Sequence, residues 1–298
     1  MSITVVGSVA LDTVETPAGR NEEGLGGAAT YFSLAAVHYA PVHLVGVVGE
    51  DFPQEHIDVF QKRGIHLEGL ERAPGKTFRW TGRYHEDVNE RDTLETQLNV
   101  FENFHPKLPD AARESEYLFL GNIHPSLQLE VLDQARPKFT ALDTMNLWIE
   151  IAQEDLKQVL ARLDAIIIND SEVKLLTGRS NVIRGAREVA ALGPRIVVVK
   201  KGEHGCLLFV DDDVFVAPAF PLDEVVDPTG AGDTFAGGFL GHLARQDSTA
   251  PATLRQAVIH GSVVASFACQ DFGPGPLLDL TPERIEERYA RFKALVDF

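Results

Sequence analysis

Long apolar runs are missing from this sequence. Nowhere do about 18 consecutive apolar residues occur, the length that a membrane-crossing helix needs. The opening Ile3-Thr4-Val5-Val6 has neither a basic stretch nor a cleavable apolar segment, so no export signal is read there. Cysteine is scarce. Cys206 and Cys269 stand far apart in apolar surroundings, which excludes a disulfide framework and any Cys/His zinc spacing and suits buried thiols in a reducing compartment. Positive charge is in deficit, with 27 Lys and Arg against 44 Asp and Glu, a net charge of −17. Such a chain repels phosphate backbones and anionic lipid, so no nucleic-acid and no membrane partner is expected. Low-complexity tracts and internal repeats are lacking too. These absences predict a soluble, cytoplasmic protein.

What remains is ordinary globular composition: 298 residues, 44% hydrophobic and 24% charged, enough to bury a large core. Given the acidic balance, any polyphosphate ligand must be held by local devices such as helix N-termini and a few cations.

Apolar runs ending in small residues alternate with amphipathic stretches. Strands are predicted at Ile3–Ala10, 42–48, 117–121, Phe139–Asp143, Ala165–Asn169 and Ile196–Lys200, with a hairpin at 205–210 and 214–217. Helices are predicted at 28–39, 54–63, 127–135, 154–163, 170–177, 182–192, 230–245, 252–269 and 281–295. This alternation gives an α/β chain: a mostly parallel sheet covered by helices on both faces, with ligands outside the carboxyl ends of the strands. Residues 77–101 break the pattern. Thr77–Tyr84 and Thr93–Phe101 flank a polar tip and read as an antiparallel hairpin, a candidate lid or oligomer contact.

Two short patterns mislead. Gly75-Lys76-Thr77 lacks the upstream glycine of a Walker loop and precedes a strand. Gly24-Leu25-Gly26-Gly27-Ala28-Ala29 fits a dinucleotide pattern but does not follow a strand directly.

The strongest segment is Asp227-Pro228-Thr229-Gly230-Ala231-Gly232-Asp233-Thr234-Phe235. Gly230 and Gly232 let the backbone approach a ligand, and apolar periodicity from Phe235 starts a helix. Free N–H groups and the dipole there suit a phosphoryl group. Asp233 lies at the mouth, where it can take the proton of an attacking hydroxyl while the Gly230, Ala231, Gly232 and Asp233 amides meet the developing charge.

This segment resembles the C-terminal D-x-x-G-A-G-D motif of the ribokinase-like (PfkB) carbohydrate kinases. Further matches follow in family order: Asp12 after the first strand, Gly26-Gly27 at the first helix, Asn169-Asp170-Ser171-Glu172 as N-x-x-E, and Lys200-Lys201-Gly202-Glu203-His204-Gly205 as the strand and G-x-x-G turn. The resemblance spans essentially the whole chain. It implies a single domain over 1–298, a ribokinase-like three-layer α/β/α sandwich with a small antiparallel β lid formed by about 12–18 and 77–101. It implies ATP and Mg²⁺ as cofactors, with Asn169 and Glu172 organising the metal through water. It places Lys200, Gly202, Gly205, Asp227 and Thr229 on the nucleotide side, and Asp12, Gly26 and Gly27 on the acceptor side. A homodimer through the lid is a further implication. A monovalent cation requirement stays open.

Bland alternatives stand beside these roles. Asp12 has a secondary reading as a loop acid, Asn169 and Glu172 as helix caps, and Gly202 and Gly205 as hairpin glycines, while helix 252–269, with Gly261, Ala265 and Ala268, resembles the segment that walls the family's adenine pocket, its small residues serving equally for helix packing. Two departures from the family stand out. Tyr31 occupies a position where many members carry a sugar-binding asparagine, and Lys200 one where threonine is frequent. Tyr31, Phe78, Trp80 and Tyr84 could stack on an acceptor ring or pack the lid. Asp143-Thr144-Met145-Asn146 loosely resembles a D-P-N segment, making Asn146 a candidate acceptor or phosphate contact. The acceptor is a small molecule: a sugar, a nucleoside or a cyclitol such as myo-inositol. A phosphorylated acceptor would need cations, for which Arg79, Arg83 and Arg91 are available. A non-catalytic ligand-binding member is the rival class.

Overall fold

A computed structural model describes residues 1–297. Thirteen strands and twelve α-helices run in the order β1 (Ile3–Val6), β2 (Ala10–Thr16), β3 (Gly19–Gly26), α1 (Ala28–Ala36), β4 (Val42–Gly49), α2 (Gln54–Lys62), β5 (His66–Ala73), β6 (Phe78–Tyr84) and β7 (Arg91–Gln97). There follow α3 (Asp110–Arg113), β8 (Tyr117–Leu120), α4 (Pro125–Gln134), β9 (Phe139–Asp143), α5 (Asn146–Ile151), α6 (Gln153–Leu160), β10 (Ala165–Asn169), α7 (Asp170–Thr177), α8 (Val182–Ala190) and β11 (Ile196–Lys200). The chain ends with β12 (Cys206–Val210), β13 (Asp213–Ala217), α9 (Ala231–Gln246), α10 (Pro251–Ala268), α11 (Gly275–Leu278) and α12 (Pro282–Val296).

Nine strands form the large sheet in the order β13-β12-β11-β10-β9-β8-β1-β4-β5. From β11 to β5 every neighbouring pair is parallel, and β12 and β13 add antiparallel strands at one edge. The central strands are buried on both faces because successive side chains point to opposite sides. Val5, Phe119, Ile167 and Val198 join the core under α1, α9, α10 and α12. Their neighbours Val6, Leu120, Ile168 and Val199 join the core under α4, α6, α7 and α8. Three layers result, as the alternation predicts. Among the described residues no helix is long and apolar enough to cross a membrane.

Helices α9 and α10 pack closely through glycine. A Cβ on Gly238 would come within 3.0 Å of the Gly261 Cα. Gly261 is thus spent on close helix packing, one of the two uses open to it from sequence.

The small sheet has the order β3-β2-β6-β7. Its outer pairs are antiparallel and its middle pair, β2 with β6, is parallel. Segments 12–18 and 77–101 both contribute, and Gly19–Gly26 joins them as a strand that the polar sequence concealed. The run predicted at Ile3–Ala10 breaks after Val6, with Ala10 starting the small sheet. Phe101 belongs to a 3-10 turn at Asn99–Asn103 rather than to a strand. The first helix stops at Ala36, short of Tyr39, where Tyr39 and Ala40 both donate to the Ala36 carbonyl. Strand β5 was not legible: it is an edge strand with charged residues on its open side.

Candidate active site

Strands β9, β10 and β11 end side by side, and their register pairs Ile167 with Asp143 and Asn169 with Lys200. The N-terminus of α9 and the small sheet close over these ends.

The glycine turn leads into α9. Gly230 caps the helix with φ of 72°, a left-handed conformation suited to glycine, and a Cβ there would overlap the Tyr31 ring. The Ala231 amide donates to Pro228 O at 3.1 Å and the Thr234 amide to Gly230 O at 2.8 Å. The amides of Gly230, Gly232 and Asp233 are left without a backbone acceptor, which narrows the expected four-amide cradle to three. Ala231 drops out because its N–H closes the turn.

Asp233 is half-buried at this mouth. Burial pushes its carboxyl up to about 7, the Asp143 charge adds to the push, and Lys200 opposes it. Lys200 reaches in from the end of β11. Its Nζ lies 3.1 Å from Asp143 Oδ2 and 2.8 Å from where a Cβ on Gly232 would stand. Burial works against the ammonium, but Asp143, Glu172 and Asp233 outweigh it and hold the pKa above its ordinary value. The lysine that departs from the family pattern therefore sits inside the constellation.

Asn169 and Glu172 form a reciprocal capping box. Glu172 N donates to Asn169 Oδ1 and Asn169 N to Glu172 Oε2, each at 2.8 Å. Glu172 Oε1 takes no part in that box. Burial lifts the Glu172 carboxyl to about 7, with Asp143 adding and Lys200 opposing.

On the acceptor side, Asp12 is buried on β2, and its Oδ2 accepts from Gly27 N at 3.3 Å. A Cβ on Gly26 would overlap that carboxylate, and one on Gly27, at φ of 95°, would overlap the Ser8 carbonyl. The di-glycine step is what lets an acid lie flat against the backbone. Burial raises the Asp12 carboxyl to about 7; the Gly27 amide counters this, and Asp227 and Asp233 add to it.

Several expected contacts fall elsewhere. Tyr31 is 2% exposed, its ring packed beneath Gly230 in the core, so it supports the turn instead of presenting a face to a ligand. Asn146 is exposed at the start of α5. The member of that segment in the cluster is Asp143, three residues earlier, which sequence reasoning passed over. Its position at a strand's carboxyl end was the available signal. Asp227 is consumed internally, its two oxygens accepting from Thr229 N at 2.8 Å and Gly273 N at 3.1 Å. Thr229 Oγ1 donates to the Tyr84 hydroxyl at 3.3 Å, so it meets the small sheet. Gly202 and Gly205, at φ of 54° and 80°, shape a 3-10 turn that opens the β12 hairpin. A Cβ on Gly202 would overlap the Asn89 side chain, so the tip between β6 and β7 rests on that turn.

The donor set fits Mg²⁺ held indirectly. Asp143, Glu172 and Asp233 are hard oxygen ligands around one ammonium, a surplus of negative charge. Among the described residues, the group of side chains that converges closely enough to chelate an ion is His43, His66 and Glu68, at the opposite, amino ends of β4 and β5. An ion at the carboxylates would therefore lean on water and phosphate oxygens, the usual habit of Mg²⁺.

The carboxyl-edge cluster over a parallel sheet, with a small sheet folded across it, defines a kinase of the ribokinase fold. Comparison with known proteins agrees: the pfkB family carbohydrate kinase profile matches residues 2–280. The chain belongs to the pfkB family of carbohydrate kinases. A cytidine kinase of Thermococcus kodakarensis is 32% identical over 82% of this chain and 89% of its own. A solved nucleoside kinase of Burkholderia thailandensis, in complex with inosine, superposes with a TM-score of 0.80 at 21% identity over 99% of both chains. A ribokinase-type chain of E. coli in complex with ATP and Mg²⁺ gives 0.80 at 19% identity over 97% of this chain and 99% of its own.

Proposed function

We propose that this enzyme transfers the γ-phosphoryl group of Mg-ATP to a hydroxyl of a ribose-containing acceptor, a nucleoside before a free sugar or a cyclitol. One observation carries the chemistry: the Asp233 carboxylate stands at the mouth of a glycine turn whose Gly232 and Asp233 amides lack a backbone acceptor, with the Lys200 ammonium beside it. The nucleoside preference rests on likeness to the cytidine kinase over most of both chains.

In this reading Asp12 orients the acceptor's hydroxyls, and the Gly26-Gly27 step keeps that carboxylate in place. Asp233 takes the proton from the attacking hydroxyl. The Gly232 and Asp233 amides and Lys200 stabilise charge on the migrating group. Mg²⁺ would neutralise the phosphate oxygens, with Glu172 and Asp143 addressing it through water. The small sheet, resting on Thr229 and Gly202 through Tyr84 and Asn89, excludes water from the transfer.

The test is ADP release from Mg-ATP against a panel of cytidine, other nucleosides, ribose, fructose and myo-inositol, run in potassium and in choline salts. ADP release with nucleosides supports the reading. Release only with free sugars or myo-inositol removes the nucleoside preference, and release with nothing leaves the binding-only class. The same salts decide the monovalent cation requirement. Dimerisation through the small sheet must contend with β7, an exposed edge carrying Arg91, Asp92 and Glu95, and charged edges resist strand pairing. Solution mass by light scattering decides it.

A further inference from the structure

The small sheet brings one unneutralised cation to the site. Three of its arginines face different fates. Arg79 is spent on Glu23 and Asp51, both at 2.9 Å, and Arg83 on Glu15 at 2.7 Å. Arg91 closes no ion pair among the described residues. It starts β7, opposite Tyr84 in the ladder. Its guanidinium stacks 5.1 Å from the Trp80 ring centre. That indole lies across Gly82, where a Cβ would overlap it, and its Nε1 donates to Thr93 at 3.3 Å. The indole holds the arginine head on the face of the sheet that carries Asp12, the partner of Trp80 across β2 and β6.

What that head faces is acidic. Asp12 stands opposite Trp80 on that face, the Tyr84 hydroxyl meets Thr229 just before the glycine turn, and the Arg91 charge counters the upward push on the Asp12, Glu172 and Asp233 carboxyls. The cation that the large sheet supplies, Lys200, is already paired with Asp143. The tip that ends at Arg91 also rests on the nucleotide-side turn through Asn89 and Gly202. Arg91 thus stands, with the small sheet folded across the site, on the face that carries Asp12 and Tyr84.

We propose that Arg91 is a catalytic residue delivered by the closed sheet, its guanidinium meeting the oxygens of the migrating phosphoryl group as the acceptor hydroxyl gives its proton to Asp233. This rests on the transfer reaction proposed above. The acceptor oxygen bonds to phosphorus as the bond from phosphorus to the ADP oxygen breaks. The electron pair leaves with ADP, the proton goes to Asp233, and Arg91 stays protonated throughout. A planar fork of donors suits phosphoryl oxygens better than a point charge, so closure and chemistry are joined through one side chain.

The test compares wild type, Arg91→Ala and Arg91→Lys in the ADP-release assay, with thermal midpoints to confirm folding. Arginines that stabilise a transferring phosphoryl group are worth about 1,000-fold or more in turnover, so Arg91→Ala should lose kcat on that scale. KM for Mg-ATP should stay within about threefold, because an interaction made only in the transition state leaves ground-state binding alone. Arg91→Lys should recover part of the loss. Millimolar guanidinium should rescue Arg91→Ala, and urea should not. Turnover of Arg91→Ala within about fivefold of an active wild type overturns the role. So does a loss confined to KM, or one that guanidinium leaves unrepaired, either of which marks a merely structural arginine. No ADP from wild type with any acceptor overturns the transfer reaction, and this inference with it.

Discussion

Replacing Asp233 by Asn should lower turnover by orders of magnitude and stabilise the protein. The carboxyl rises from an ordinary 3.8 to about 7, burial being the main cause. A tenfold change in proton affinity is worth about 1.4 kcal/mol, so ionising this group at alkaline pH costs the fold at most about 4 kcal/mol. Asp143 and Lys200 share the titration, and asparagine must still satisfy its amide, so a gain of about 1–2 kcal/mol is expected, or roughly 2–4 °C in thermal midpoint. The sign follows from proton linkage. The folded state holds this proton up to about 7 and the unfolded state only to about 4, so wild type gains on the variant as pH falls through that window. The variant's advantage should be full at pH 8 and gone by about pH 4. Calorimetry across that range, beside ADP release, measures both effects. A general base is worth about 100- to 10,000-fold. Turnover within tenfold of wild type would falsify the base assignment. A lower midpoint at pH 8 would refute the account of an acid whose ionisation the fold opposes.

Two more predictions concern the same cluster. Because Asp233 must be ionised to accept a proton, kcat/KM should rise with pH and level off above about 7, and Asp12 and Glu172, also lifted to about 7, should steepen the rise beyond a single ionisation; a flat profile between pH 6 and 8 contradicts this. Gly232→Ala would put a Cβ 2.8 Å from Lys200 Nζ; the flexible lysine can yield, so folding should survive while kcat/KM falls by about 100-fold through misplacement, and unchanged kinetics would remove Lys200 from the site.

The legible parts of the site were those written in local sequence. Gly230-Ala231-Gly232-Asp233 announces itself because a glycine turn, a helix start and an acid lie within four residues. Asp12 and the di-glycine step were separately visible, and their collision-free contact explains why they occur together. The illegible parts depend on long-range folding. Asp143 looks like any aspartate after an apolar run until β9 and β11 line up and Lys200 meets it. Tyr31 looks ligand-facing until α1 is rotated beneath Gly230. Arg91 sits in a polar hairpin, and nothing local connects it to residues 12, 172 and 233. For the large sheet, apolar runs located the buried strands, whereas edge strand β5 escaped because burial no longer writes a pattern there.

The overall charge sets up a last test. A net charge of −17 opposes the approach of an anionic nucleotide, yet the proposed binding devices are short-ranged: the free amides of the glycine turn, Lys200 and Arg91. Salt should separate the two effects. At about 0.15 M the screening length is near 8 Å, long enough to leave contacts in the site intact and short enough to mute the surface. Like-charged partners associate faster as salt rises, the reverse of a basic phosphate-binding protein. With choline chloride, which avoids specific cation effects, kcat/KM for Mg-ATP should rise modestly between 20 and 150 mM. A steep fall would mean that capture relies on long-range attraction, which an acidic surface cannot supply, and the phosphate site would have to be sought on a basic patch instead.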